Sequence, residues 1–229
     1  MDFNRRQFLM SSVATFAAVS LSTSLMAAEP IVIGVPTAKS GPVGVADQAD
    51  WLNGVTMAVE EINAAGGVNG RMINLISLDD SYSPPKTVEQ VRRLVEQEQV
   101  AFLFQTLGTG PNLAIRDYCN QNKVPQLFVS TGASVFADPA HYKWTMGYNP
   151  NYQTEARIYA KHILQTKPQA KIAVLYQNDS FGRDYLAGLK AGLGADKAGM
   201  IVKEASYETS EPTVDSQITS CQGAGADVL

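Results

Sequence analysis

Two short turns carry residue types that could hold a small polar molecule. They are Thr106-Leu107-Gly108-Thr109-Gly110 and Ser130-Thr131-Gly132-Ala133-Ser134. Their hydroxyls and free backbone N–H groups suit a small anionic ligand. The same residue types also favour βα loops for backbone reasons alone, with no ligand involved. Each turn follows an apolar run, at 100–104 and at 126–129, and a helical pattern lies between them. If the two runs are parallel strands of a βαβ unit, both turns fall at the carboxyl edge of the sheet. Open α/β folds hold their ligands there.

The elements that would position these turns alternate along the chain. Residues 31–35 form a short apolar run ending at Pro36, followed by a glycine-containing loop with Ser40-Gly41-Pro42. Trp51, Leu52, Val55, Val59 and Ile62 recur at helical spacing, which predicts a helix over 48–65 that stops at Gly66-Gly67. A strand over 72–78 ends at Asp79-Asp80. Pro84-Pro85 opens a helix with Val88, Val91, Leu94 and Val95 on one face. Residues 142–148 read as an extended, partly aromatic segment closing at Asn149-Pro150. A helix, a strand over 171–176, a loop over 177–182 and a further helix follow. A strand over 200–205, a helix over 213–222 and the start of a strand at 226–229 complete the pattern. The expectation is an α/β fold of two doubly wound parallel-sheet lobes joined by a hinge. Lobe one spans 29–145 and lobe two 146–229, with lobe two incomplete because its last strand has no covering helix.

Bulk properties narrow the function classes. The chain has 229 residues, 45% of them hydrophobic and 17% charged, with a net charge of −4. Such a composition can bury a core. No basic patch points to nucleic acid or an anionic membrane. Cys119 and Cys221 fall in different lobes and read as core fillers rather than a disulfide. Asp79-Asp80 could bind a cation or serve acid–base chemistry. Adjacent strand residues point to opposite faces, however, and no His, Cys or third carboxylate lies near. The pair therefore reads as a loop cap for the following helix. No dinucleotide, phosphate-loop or nucleophile-elbow motif is present, and His141 and His162 have no matching partners. No enzyme activity, metal or cofactor is expected.

Residues 1–28 read as an export signal, with Arg5-Arg6 before an apolar stretch from Phe8 to Ala28. Arg5-Arg6-Gln7-Phe8-Leu9 resembles the twin-arginine motif, with Asn4 where Ser or Thr is usual. An uncleaved membrane anchor is the competing reading. Export places the protein in the periplasm.

The run Glu61-Ile62-Asn63-Ala64-Ala65-Gly66-Gly67-Val68-Asn69-Gly70-Arg71, with the Ser40-Gly41-Pro42 loop before it, resembles type I periplasmic binding proteins of the branched-chain amino acid class. The similarity continues through Asp79-Asp80, both turns and residues 174–182. This resemblance implies two lobes that close on a ligand and a longer chain, of which this is an N-terminal fragment. It also implies a monomer whose partners are the membrane subunits of an ABC importer. Its ligand contacts map onto Thr109, onto Ala133 and Ser134, and onto Phe181 before Gly182. Amino-acid binders often carry Tyr at the position of Phe181. Residues 104–111, 144–147 and 151–154 resemble members that take aromatic or other non-amino-acid carboxylates, where Phe181 and Tyr152 would suit a flat ligand. Tyr152 also reads as a packing residue at a helix start. A branched-chain or related amino acid is the first expectation and an aromatic acid the second. The ligand-binding domain of a sensor is a further alternative.

Overall fold

A computed structural model describes residues 28–41 and 45–229; the export signal read over 1–28 and Pro42 lie outside these, apart from Ala28. Five parallel strands make the first sheet: β1 (Ile31–Thr37), β2 (Ile73–Asp79), β3 (Phe102–Phe104), β4 (Gln126–Val129) and β5 (Thr145–Gly147). Their order across the sheet is β2-β1-β3-β4-β5. Between them run α1 (Val45–Ala64), α2 (Pro84–Glu96) and α3 (Thr109–Gln121).

Alternation along the strands places helices on both faces. Leu103 joins Val91, Leu94, Ile115 and Cys119 in a core beneath α2 and α3. Its neighbours Phe102 and Phe104 point the other way, toward Val55 and Val59 of α1. Thr87, Val91 and Leu94 on α2 are buried at helical spacing, and Pro84 and Pro85 occupy its first turn. The result is the doubly wound α/β layout that the alternation of elements predicts.

The second sheet holds β6 (Ile172–Gln177) and β7 (Ile201–Tyr207), also parallel, with Val228 bridging to Ile172. The bridge fits the strand start read at 226–229. Helices α4 (Tyr152–Thr166), α5 (Ser180–Leu193) and α6 (Asp215–Gly223) accompany it. Ala156, Ala160, Ile172, Leu189, Leu193 and Met200 form the core. Helices α4 and α5 approach closely because their facing residues are small. A β-carbon on Gly188 would lie 2.4 Å from the Gln153 carbonyl, and one on Gly192 would lie 2.6 Å from Ala160 Cβ.

Several boundaries differ from the sequence reading. Residues 177–182 are not a loop: Gln177 ends β6 and α5 starts at Ser180, so Phe181 and Gly182 lie in a first helical turn. The cause is a cap, since the Asp179 side chain accepts hydrogen bonds from the amides of Phe181 (2.9 Å) and Gly182 (3.2 Å). Of the extended segment 142–148, only Thr145–Gly147 joins the sheet, as its edge strand. Asp80 caps the turn before α2, taking the Tyr82 amide at 2.9 Å and the Thr87 hydroxyl at 2.8 Å. Asp79 instead ties the ends of β1 and β2 by accepting from the Lys39 and Ser81 amides and the Ser40 hydroxyl. Cys119 and Cys221 are buried and unpaired.

Candidate functional site

All strands of both sheets that carry this region are parallel, so their carboxyl ends present loops on one edge each. Those edges meet. Tyr82, just after β2, has the Gln177 side chain as a hydrogen-bond partner and lies near Tyr207 at the end of β7 and Asp179 at the start of α5. Burial pushes the Tyr82 phenol up from its usual value, against the Gln177 hydrogen bond.

The polar half of the site is a chain of buried hydroxyls. Thr109, the first residue of α3, is 1% exposed, and its hydroxyl lies 2.6 Å from that of Thr131. The Thr131 hydroxyl also accepts the Ala133 N–H at 3.2 Å. This links the two turns directly. Asn112 holds the first turn in place by donating to the carbonyls of Thr106 (2.6 Å) and Gly108 (2.7 Å). Gln126 on β4 donates to Asn112 Oδ1 at 2.7 Å and accepts from Thr145 of β5 at 3.0 Å. A connected polar network of this kind fixes geometry only when its members are satisfied. It spans α3, β4 and β5 and braces the turns from below.

Ser134 faces the other lobe. Its amide donates to Asp184 Oδ2 at 2.5 Å and its hydroxyl to Oδ1 at 2.8 Å. Gln153 Nε2 donates to the same carboxylate at 2.9 Å.

The apolar half is aromatic. Tyr152 packs against the cluster of Val129, Ala133 and Phe136 on the first lobe. On its other side it meets Phe181 edge-on at 5.1 Å and stacks on Tyr185 at 4.9 Å. Tyr185 continues the stack to Tyr159 at 6.3 Å. Glu155 accepts both hydroxyls of that pair, with Tyr185 at 2.7 Å. Gly132 allows Tyr152 to come this close: a β-carbon there would lie 2.1 Å from the Pro150 carbonyl and 2.8 Å from the Tyr152 ring. Ala133 borders a cavity of about 290 Å³ shared with Thr131, Tyr148 and Asn151. Phe181 borders another, of about 330 Å³, shared with Val174, Gln177 and Tyr207.

The structure thus gathers Thr109, Ala133, Ser134, Tyr152 and Phe181 into one neighbourhood, but engages the polar groups of the first three internally. Thr109 and Ala133 meet through Thr131, Ser134 meets Asp184, and Tyr152 meets Phe181. Sequence reading did not single out Tyr82, Asp184 or Tyr185, and it took Thr131 and Gln153 only as members of the 130–134 and 151–154 runs. One signal was available: Asp184, Gly188 and Gly192 share a face of α5, so a charged residue sits on the packed side of that helix. Among the described residues no group of three His, Cys, Asp or Glu could hold a metal ion.

Two facing lobes with loops at the carboxyl edges of parallel sheets are matched by a family model, described as periplasmic binding protein, over residues 30–229. The chain belongs to the periplasmic binding protein family. A Leu/Ile/Val-binding protein homolog 3 from Brucella melitensis is 27% identical over 226 residues, covering 96% of this chain and 58% of the relative. A branched-chain amino acid transporter substrate binding protein from Streptococcus pneumoniae, solved with isoleucine, superposes with a TM-score of 0.66 at 21% identity. The match covers 85% of this chain and 54% of that one. A solute binding protein of an ABC transporter from Rhodopseudomonas palustris, solved with 3,4-dihydroxy benzoic acid, gives 0.70 at 20% identity, covering 87% and 53%. At these identities the two solved structures share the fold. The chain spans little more than half the length of the curated relatives it matches. The family and these relatives are binding proteins, not enzymes. In this periplasmic binding protein the polar turns and the aromatic stack come together where the two lobes meet.

Proposed function

We propose that this periplasmic binding protein captures a small carboxylate where its two lobes meet and presents it to the membrane subunits of an ABC importer. The observation that carries this reading is the position of Tyr152, which packs against the Val129, Ala133 and Phe136 cluster on one lobe and meets Phe181 on the other. A ligand near Tyr152 would meet polar turns on one side and aromatic rings on the other. Thr109 and Ala133 supply the polar wall, Ser134 stands at its rim, and Tyr152 and Phe181 supply the apolar wall. The ligand class favoured by these rings is a flat aromatic acid, because ring faces and edges pack best on another ring. The amino-acid reading rests on the relative named a Leu/Ile/Val-binding protein homolog and on the related structure holding isoleucine.

A division into two lobes belongs to the same proposal, with the boundary moved from 145/146 to just after Gly147 so that β5 stays whole in the first sheet, as does a monomeric protein exported to the periplasm by the twin-arginine-like signal in residues 1–28. A sensor would share the fold and site. Finding the signal uncleaved and the protein membrane-tethered would favour that role over transport.

A thermal-shift screen of the full-length protein, followed by calorimetry, tests the ligand. Stabilisation by 3,4-dihydroxybenzoate but not by leucine or isoleucine is the expected result. Binding of leucine with no aromatic acid bound would overturn the aromatic assignment, and a ligand lacking a carboxylate would overturn the site chemistry.

A further inference from the structure

The Asp184 carboxylate stands outside both walls of the proposed clamp, yet it is 8% exposed and holds three donors. Two come from Ser134 across the lobe junction and one from Gln153 in the first turn of α4. No Lys, Arg or His pairs with it among the described ion pairs. A carboxylate buried against neutral donors is satisfied only while all of them stay in place. Pulling the lobes apart at this point would strip Asp184 of both Ser134 bonds, while Gln153 moves with it.

Ser134 is equally committed. Its amide and its hydroxyl both point at Asp184, so neither is left for a ligand carboxylate in this arrangement. A tethered carboxylate thus sits on the donors that sequence reading gave to the ligand. The contact adjoins the site: Ala133, next to Ser134 in sequence, belongs to the cluster that Tyr152 packs against, and Gln153 follows Tyr152 directly.

We infer that Asp184 is a positioning residue. It acts through Ser134 to dock the 130–134 turn onto the start of α4, and so sets the spacing between the polar turn and Tyr152. This rests on the ligand-clamp reading above. It differs from that reading in making Ser134 a partner of Asp184 and not of the ligand.

The test uses the full-length protein with Asp184→Ala, Asp184→Asn, Ser134→Ala and the Asp184→Ala/Ser134→Ala pair. One arm measures small-angle X-ray scattering without ligand. Asp184→Ala should enlarge the radius of gyration relative to the parent, and an unchanged value overturns the docking role. The other arm measures calorimetric affinity for 3,4-dihydroxybenzoate and leucine. Each single variant should lose about tenfold in affinity for whichever acid binds, and the pair should lose no more than Asp184→Ala alone, because both remove one coupled contact. Additive losses would mean that Ser134 meets the ligand independently. Tighter binding by Asp184→Ala would mean that Asp184 competes with the ligand. Either result overturns the inference. Should Asp184→Ala fail to fold, Asp184→Asn, which keeps one acceptor oxygen, and Ser134→Ala carry both arms. If the parent binds neither acid, the carboxylate reading fails, and scattering alone decides the role of Asp184.

Discussion

The ring of Tyr82 lies so close to Gly108 that a β-carbon there would sit 2.3 Å from Cε2 and 2.9 Å from the phenol oxygen. Both residues have left-handed backbones, with φ of 92° at Gly108 and 57° at Tyr82. The contact ties the loop after β2 to the turn before α3, one of the two turns that carry the polar wall.

Gly108→Ala should therefore destabilise the protein by about 2–4 kcal/mol, combining backbone strain with the clash. Tyr82→Ala in the same background should recover only part of this, because the ring is removed and the strained φ is not. Urea unfolding of the three variants gives the comparison. A Gly108→Ala protein as stable as the parent would show that Tyr82 does not pack there.

Thr131 serves Thr109 and Ala133 together. Thr131→Val leaves the Ala133 N–H and the Thr109 hydroxyl without that partner in a buried site, at a cost of about 2–3 kcal/mol. Adding Thr109→Val should cost little more, since the second hydroxyl has already lost this bond. A double-mutant cycle by chemical denaturation measures the coupling, and independent effects would show that the hydroxyl pair does not exist.

Asp79 and Asp80 respond to acid in opposite senses. Burial alone would raise Asp79, but hydrogen bonds from the Ser40 hydroxyl and from the Ser81, Lys39 and Ser40 amides bring it from 3.8 to about 2. The fold thus favours ionised Asp79. Its contribution is complete above the unfolded value of 3.8 and is lost as pH falls through about 2. Asp80 is raised, chiefly by burial, so the fold favours its neutral form; its contribution is present below the unfolded value and is lost as pH rises through the folded one. Asp79→Asn should cost about 1 kcal/mol near neutral pH after discounting for solvent screening, with the difference from the parent shrinking toward about pH 2. Stability curves of both proteins across the acid range check this. A difference that grows on acidification would contradict it.

Phe181 supplies an edge to Tyr152 and borders the second-lobe cavity. Phe181→Ala should weaken an aromatic acid by about 1–2 kcal/mol, the scale of a lost ring contact plus its buried area, and leucine by less. Calorimetry with both ligands separates the cases. Equal losses would show that ring stacking does not select the ligand.

The chain's own pattern determined the alternation of strands and helices and the family. Short continuous apolar runs such as 100–104 and period-3.6 runs such as Val88, Val91, Leu94 and Val95 are local signals, set by which faces must be buried. The turns 106–110 and 130–134 were legible for the same reason, since hydroxyl and glycine residues after apolar runs mark strand ends. Only the tertiary structure decided what those hydroxyls touch. Thr109 meets Thr131 across 22 positions and Ser134 meets Asp184 across 50. Neither pairing leaves a periodic trace. The buried run Asn112–Gln126–Thr145 was hidden likewise, because each member sits alone in a stretch that otherwise reads as apolar or as loop. A hydrogen bond's partner depends on where two distant segments stop in space, and that is fixed by packing of α3, α4 and α5 against their sheets, not by spacing along the chain.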